Sequence, residues 1–287
     1  METRPVVPGG IAATIELGGD LTVSRLGFGA IWLTGEGIWG SPPDRDGAKA
    51  VLRKAVELGV NFIDTADSYG PGFSEELIAE ALHPYPGDLV IATKGGLERP
   101  GPLQWSVNGR PEHLIEACEG SLRRLRLERI PLYQLHLPDP DVPLEDSIGA
   151  LVTLKDQGKI RHIGLSNVDE AQVRRARLLT SIVSVQNRYN VPDRRSEQLV
   201  DLCAREKLAF LPWAPLQDAD ETPLVREIAR RHQVTPRQIV LAWLLARSPT
   251  ILPIPGTSSV PHLEENVAAT AVRLTAAEVS SLTEHAG

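Results

Sequence analysis

Sulfur and aromatic carbon are scarce in this chain of 287 residues, which has two cysteines, one methionine and four phenylalanines. Cys118 and Cys203 both fall in apolar helical patterns. They cannot make a disulfide framework and read as reduced core residues of a cytoplasmic protein. No apolar run approaches the roughly 20 residues of a membrane span. The start, Met1 to Gly10, has proline and glycine but no secretion-signal core. Excess positive charge is missing too: the net charge is −7 and the pI about 5.6, which argues against nucleic acid or an anionic membrane as partner. A local turn can still bind phosphate against the global sign. No Gly/Ser-rich or charged linker divides the sequence, so a single domain over 1–287 is expected. The Gly-x-Gly-x-x-Gly fingerprint of a Rossmann dinucleotide site is also absent after any strand-like run.

What is present is a succession of short apolar runs, each ending on a polar or aromatic residue. Val60-Asn61-Phe62-Ile63 runs into Asp64, Leu89–Thr93 into Lys94, and Leu132–Leu135 into His136. Ile163–Leu165 runs into Ser166 and Asn167, Ile182–Val185 into Gln186, and Leu208–Pro212 into Trp213. The last run, Ile251–Pro255, enters the polar turn Gly256-Thr257-Ser258-Ser259. Helix-like stretches separate them, as in a parallel sheet buried on both faces. Functional side chains at the carboxyl ends of successive strands are the mark of a (β/α)8 barrel.

The remaining elements fit that α/β TIM-barrel fold. Gly18-Gly19-Asp20 lies between two β-prone pieces and predicts an N-terminal β-hairpin plugging one barrel mouth. Leu26–Gly29 is then the first barrel strand. Helices are predicted from Ser74 to Leu82, from Pro111, and over 170–179, 194–206, 223–231 and 236–247. Extra C-terminal helices follow, one near Val260 and one over 275–284, where Thr275 and Glu278 have capping-box spacing. Residues 30–44, 96–110 and 216–222 are loops expected to form the substrate pocket, with Trp32 and Trp105 as wall candidates and Trp39 beside them.

Asp64, Tyr69, Lys94 and His136 lie on or just after neighbouring strands, so their side chains converge at one mouth. A lysine ammonium beside a phenol is expected to lower its pKa, and a buried lysine in turn requires a carboxylate such as Asp64. The product is a tyrosine that can protonate a carbonyl oxygen, with His136 holding that oxygen. No side chain here carries electrons, so a redox reaction needs a cofactor. Taken alone, Asp64–Lys94 is equally a structural ion pair and His136 a satisfied strand-end residue; their combination with Tyr69 promotes them. Trp213 alone divides evenly between core and site. Trp243 reads as core, and Arg123-Arg124-Leu125-Arg126 as a solvated helix end. The other histidines show no metal-ligand spacing and read as surface or structural, His262 excepted.

Asp64-Thr65-Ala66-Asp67-Ser68-Tyr69-Gly70 resembles the aspartate–tyrosine segment of the aldo-keto reductases, and Lys94 and His136 stand where that family's other two catalytic residues fall. Gly164-Leu165-Ser166-Asn167 and Gln186–Asn190 are similar to its nicotinamide-carboxamide contacts, and Trp213-Ala214-Pro215-Leu216 to the segment whose aromatic ring stacks on the nicotinamide. The stretch from Ile254 through Gly256, Thr257 and Ser258 to His262, Glu265 and Asn266 resembles the turn and helix that bind the adenosine phosphate. The resemblance extends from about Leu21 to Leu282. It implies hydride transfer from NADPH, with NADH as the alternative, to a small aldehyde or ketone; Tyr69 is the acid, and no metal takes part. Gly256 replaces a lysine and His262 an arginine that clamp the 2′-phosphate in many members. The Gly-Thr-Ser-Ser turn is closest in style to pyridoxal-reducing bacterial members. A pyridoxal or nucleotide-linked keto-sugar reductase is one alternative, and a cofactor-binding regulatory subunit with little turnover another. A monomer is expected.

Overall fold

The structure, a computed structural model, describes residues 13–218 and 222–284. Residues 1–12, positions 219–221 of the expected pocket loop, and His285 lie outside the described residues. The chain enters through an antiparallel hairpin, β1 (Thr14–Leu17) and β2 (Leu21–Ser24). Gly18 and Gly19 turn it at φ of 64° and 80°, a left-handed conformation that side-chain-free residues adopt without strain.

The short apolar runs then become parallel strands: β3 (Phe28–Gly29), β4 (Phe62–Asp64) and β5 (Val90–Gly95). Between them run α1 (Arg45–Glu57), capped by the Asp44 carboxylate on the Gly47 N–H, and α2 (Phe73–Leu82). Residues 96–110, read as a loop, instead contain a two-stranded hairpin, β6 (Leu97–Gly101) and β7 (Gln104–Val107). The alternation resumes with α3 (Pro111–Leu125), β8 (Ile130–Leu135), α4 (Leu144–Asp156), β9 (Ile160–Ser166), α5 (Glu170–Leu179) and β10 (Ile182–Gln186). Next come α6 (Glu197–Glu206), β11 (Ala209–Phe210), α7 (Pro223–His232) and α8 (Pro236–Arg247). The helix predicted over 194–206 starts late because Asn190, Asp193 and Arg194 close a turn before it, with Glu197 N–H bonded to the Arg194 carbonyl at 2.9 Å.

The sheet order is β3-β4-β5-β8-β9-β10-β11, and residues 251–255 close the ring. Leu252 N–H donates to the Phe210 carbonyl at 2.8 Å, while the Pro253 and Pro255 carbonyls accept from Gly27 and Gly29 at 2.9 and 3.3 Å. This eighth run pairs irregularly because its prolines lack the N–H a ladder needs. Helices α9 (Val260–Ala268) and α10 (Ala276–Glu284) finish the chain. The predicted Thr275–Glu278 box is formed, with each residue bonding the other's backbone N–H.

Two apolar layers hold this arrangement. One lies between strands and helices and includes fully buried Trp243, which stacks on Tyr189. The other fills the barrel: Phe62, Val90, Ala92, Leu132, Leu211 and Leu252 meet Leu17, Leu21 and Val23 of the hairpin. The hairpin is thus the expected plug. At about 1.5–3 kcal/mol for each fully buried aliphatic side chain, this floor makes a strong foundation. Above it the barrel interior turns polar.

Candidate active site

The polar layer consists of Asp64, Lys94, Gln134 and Gln186, contributed by β4, β5, β8 and β10, and each is at most 2% exposed. Lys94 Nζ donates to Asp64 Oδ2 at 2.6 Å and to the Thr65 carbonyl at 2.8 Å, and lies 3.5 Å from the Tyr69 hydroxyl. The other carboxylate oxygen of Asp64 accepts from Gln134 Nε2 at 3.1 Å and Gln186 Nε2 at 2.8 Å. Such an ion pair persists in a dry interior only with its remaining hydrogen-bonding capacity satisfied. Here amides and a carbonyl complete it. Gln134 was missed by sequence reasoning. Its signal was its place two residues before His136, on the face of β8 that the histidine just beyond the strand continues.

Tyr69 sits on the loop after β4, where the Tyr69 N–H bonds the Ala66 carbonyl and its own carbonyl accepts from Ser74. Behind it, Glu75 accepts from Thr93 Oγ1 at 2.6 Å and Arg124 Nε at 2.7 Å. Arg124 is therefore a clamp on a buried carboxylate, and not part of a solvated helix end as its arginine-rich setting suggested. That carboxylate lies in the first turn of α2, where the helix dipole also favours it. His136 follows β8, its ring edge-on to Tyr69 with centroids 6.0 Å apart, and its Nδ1 is 3.5 Å from Ser68 Oγ.

Burial pushes the Tyr69 phenol above its usual pKa of 10.0, and the opposing charge of Lys94 does not bring it back. The expectation of a lowered phenol is thus corrected: Lys94 is already neutralised by Asp64, and desolvation of the phenolate prevails. Burial alone would lower the Lys94 ammonium, but Asp64 and Tyr69 carry it above 10.5. Burial, then the Lys94 charge, hold His136 well below 6.5, so its imidazole is neutral and can donate one ring N–H.

A second set of groups is tied to this corner. Asn167, at φ 56°, donates from Nδ2 to the His136 carbonyl at 2.9 Å and accepts from Trp213 Nε1 at 3.0 Å. Its backbone N–H bonds the Gln186 carbonyl at 3.0 Å. One side chain therefore fixes the indole relative to the histidine. These residues open onto a cleft of about 460 Å³ whose wall includes Tyr69, His136, Ser166, Asn167, Gln186 and Trp213, together with Trp32 and Trp105. Lys94 lies behind this wall. A half-buried indole face beside amide and hydroxyl groups suits a planar ring bearing a carboxamide.

A family model described as the aldo/keto reductase family matches residues 25–286. This chain belongs to the aldo/keto reductase family. An uncharacterized oxidoreductase of Schizosaccharomyces pombe is 44% identical over 276 residues, covering 95% of this chain and 90% of its own. The pyridoxine 4-dehydrogenase of Escherichia coli is 43% identical over 274 residues, 92% of this chain and 95% of its own. An aldo-keto reductase of Klebsiella pneumoniae, solved with NADPH, superposes with a TM-score of 0.80 at 27% identity over 94% of each chain. The barrel and the oxidoreductase class follow from this membership.

Within this aldo-keto reductase, Ala214 and Gly256 also line the cleft, but other residues expected at the cofactor do not. Leu216 packs against the core; of the loop tryptophans expected at the substrate pocket, Trp39 flanks an arginine away from the cleft wall. Thr257 is buried beside Gly256, with its hydroxyl bonded to Ser259 N–H at 3.0 Å, while Ser258 and His262 are exposed. Glu265 accepts from Thr235 Oγ1 at 2.5 Å, and Asn266 is buried next to it in α9. The glycine in place of the expected lysine has a physical reason. A Cβ at Gly256 would stand 2.7 Å from the Gly29 carbonyl, where the closing run meets β3.

Proposed function

We propose that this protein reduces the carbonyl group of a small aldehyde or ketone with NADPH, and that Tyr69, Lys94, Asp64 and His136 form its catalytic group. The observation that carries the reading is the Tyr69 hydroxyl, 3.5 Å from a lysine that is itself anchored to a buried carboxylate, at the mouth that also presents Trp213. When bound, the reduced nicotinamide would supply the hydride that the carbonyl carbon needs. Tyr69 gives its hydroxyl proton to the oxygen. Its raised pKa keeps the phenol protonated at neutral pH, as a proton donor requires. Lys94 stabilises the phenolate left behind, and Asp64, held by two glutamine amides, keeps that lysine charged and in place. Neutral His136 donates a hydrogen bond to the substrate oxygen.

Trp213 offers the stacking face for the nicotinamide, with Ser166, Asn167 and Gln186 for its carboxamide. The turn Gly256–Ser259 and the N-terminus of α9 receive the adenosine phosphate through backbone N–H groups. His262, exposed at the third position of α9, is the side chain nearest in sequence to an arginine clamp. NADPH remains the first choice, supported by the bound cofactor of the Klebsiella relative. The relation to pyridoxine 4-dehydrogenase supports pyridoxal as the substrate, a planar aldehyde that suits a cleft bordered by Trp32 and Trp105. The single domain, a monomeric state and a cytoplasmic setting complete the reading. Cys118 and Cys203 are buried, unpaired thiols that burial pushes up to about 12.

Pyridoxal, simple aldehydes and keto sugars assayed by NADPH absorbance test the substrate. Turnover is expected, with pyridoxal ahead; tight NADPH binding without turnover of any compound would mark a regulatory subunit. Quenching of Trp213 fluorescence during NADPH and NADH titrations tests the cofactor, and tighter NADH binding would overturn the choice.

A further inference from the structure

We propose that Arg99 is a positioning residue that governs which carbonyl compounds the cleft admits, by clamping the Trp105 wall onto the catalytic segment. The inference rests on the cleft being the carbonyl site. Arg99 lies in β6 and is 9% exposed. Its nitrogens donate to backbone carbonyls on three segments: Nε to Gln104 at 2.9 Å, Nη1 to Ser68 at 3.1 Å and Nη2 to Gly37 at 2.9 Å. Ser68 immediately precedes Tyr69. Gly37 belongs to the loop that carries Trp32. The guanidinium carbon also lies 3.8 Å from the Trp105 ring centroid and 5.7 Å from that of Trp39.

One side chain therefore ties the Trp105 ring to the loop at Gly37 and to the backbone that precedes Tyr69. Beyond its own ladder, the β6–β7 hairpin is held by Asn108 N–H on the Gly96 carbonyl at 3.0 Å, by His113 of α3 3.6 Å from Glu98, and by contacts at its tip and base. Leu103 N–H bonds the Gly37 carbonyl at 3.2 Å, Asn108 bonds Glu98 at 2.7 Å, and the tip residue Leu103 is 70% exposed. Guanidinium suits the task because it is planar, always charged and forked, and can stack while donating in several directions. An ammonium at the end of a lysine can reach some of these carbonyls but cannot stack in the same plane. Arg99 is outside the barrel core, so its loss loosens the wall and leaves Asp64, Lys94 and the strands in place.

The test compares Arg99→Met and Arg99→Lys with wild type, using propanal and pyridoxal. Arg99→Met is expected to raise KM for pyridoxal about tenfold or more, since misplacing a positioning group by about 1 Å can cost up to 10²-fold. For propanal, kcat and KM stay within roughly threefold, because a small substrate makes little use of the wall. Arg99→Lys recovers part of the pyridoxal loss. Hydrogen exchange quickens over 97–107 and 36–40 but not in β4 or β5. Equal losses for both aldehydes, or unchanged hairpin exchange, would overturn the inference while the carbonyl reading stands. A wild-type protein that reduces neither aldehyde refutes both.

Discussion

Asp64→Asn tests whether the buried ion pair is built as the structure implies. The substitution keeps the shape but removes the charge 2.6 Å from Lys94 Nζ. The fully buried lysine is then left without a counter-charge, beside the Thr65 carbonyl, the Tyr69 hydroxyl and a neutral amide. Breaking one side of a buried pair typically costs about 3–5 kcal/mol. An asparagine whose oxygen faces Lys94 turns its NH2 group against the amide donors of Gln134 and Gln186, which adds an unsatisfied buried donor worth about 1–3 kcal/mol. A loss of at least 3 kcal/mol is expected in urea unfolding at pH 7, still leaving a folded protein if its stability is near the common ~5–15 kcal/mol. The double variant Asp64→Asn, Lys94→Met removes both charges while leaving an amide oxygen free to accept from Gln134 and Gln186, and is expected to be more stable than Asp64→Asn. Wild-type stability also carries a pH signature of the pair. Because folding raises the Lys94 pKa above 10.5, its contribution is complete below about pH 10.5 and is lost as pH rises through the higher folded value. An Asp64→Asn loss under 1 kcal/mol, or a double variant no more stable than the single one, refutes this picture.

Two further outcomes follow from the same geometry. His136 is held neutral by burial and by Lys94, so kcat/KM is expected to show no inflection near pH 6.5; one that vanishes in His136→Gln would contradict this. Gly256→Ala places a methyl 2.7 Å from the Gly29 carbonyl, which is expected to cost about 1–3 kcal/mol of stability and to weaken NADPH binding in fluorescence titration. Gly256→Lys therefore does not create a tighter phosphate clamp, and a gain in NADPH affinity would show that the closing run can yield.

The barrel was legible because its strands are buried on both faces and so read as apolar runs with polar ends. Asp64, Tyr69, Lys94 and His136 could be found because each ends or follows such a run. Less legible were features that depend on contacts between distant segments. The run 251–255 was legible as the last barrel strand, but not that it would close the ring by accepting from Gly27 and Gly29 through the Pro253 and Pro255 carbonyls. Residues 96–110 looked like a loop because Gly96, Pro100, Gly101 and Pro102 mask two short paired strands. Arg124 resembled a surface charge and Arg99 carried no signal of its own, since nothing local reveals a partner such as Glu75 or the carbonyls of Gly37 and Ser68. The Tyr69 pKa direction was misread for a related reason: a neighbouring lysine is visible in sequence, but the desolvation that outweighs it is not.

Transient-state NADPH oxidation by Tyr69→Phe, with pyridoxal or another aldehyde that the wild type reduces, tests the assignment of the proton donor most directly. Phenylalanine preserves the ring beside His136 and Lys94 and removes only the hydroxyl. The expected result is unchanged NADPH binding with hydride transfer slowed by at least ~10²-fold, the usual effect of losing a general acid. Hydride transfer near the wild-type rate in Tyr69→Phe would show that the proton comes from elsewhere.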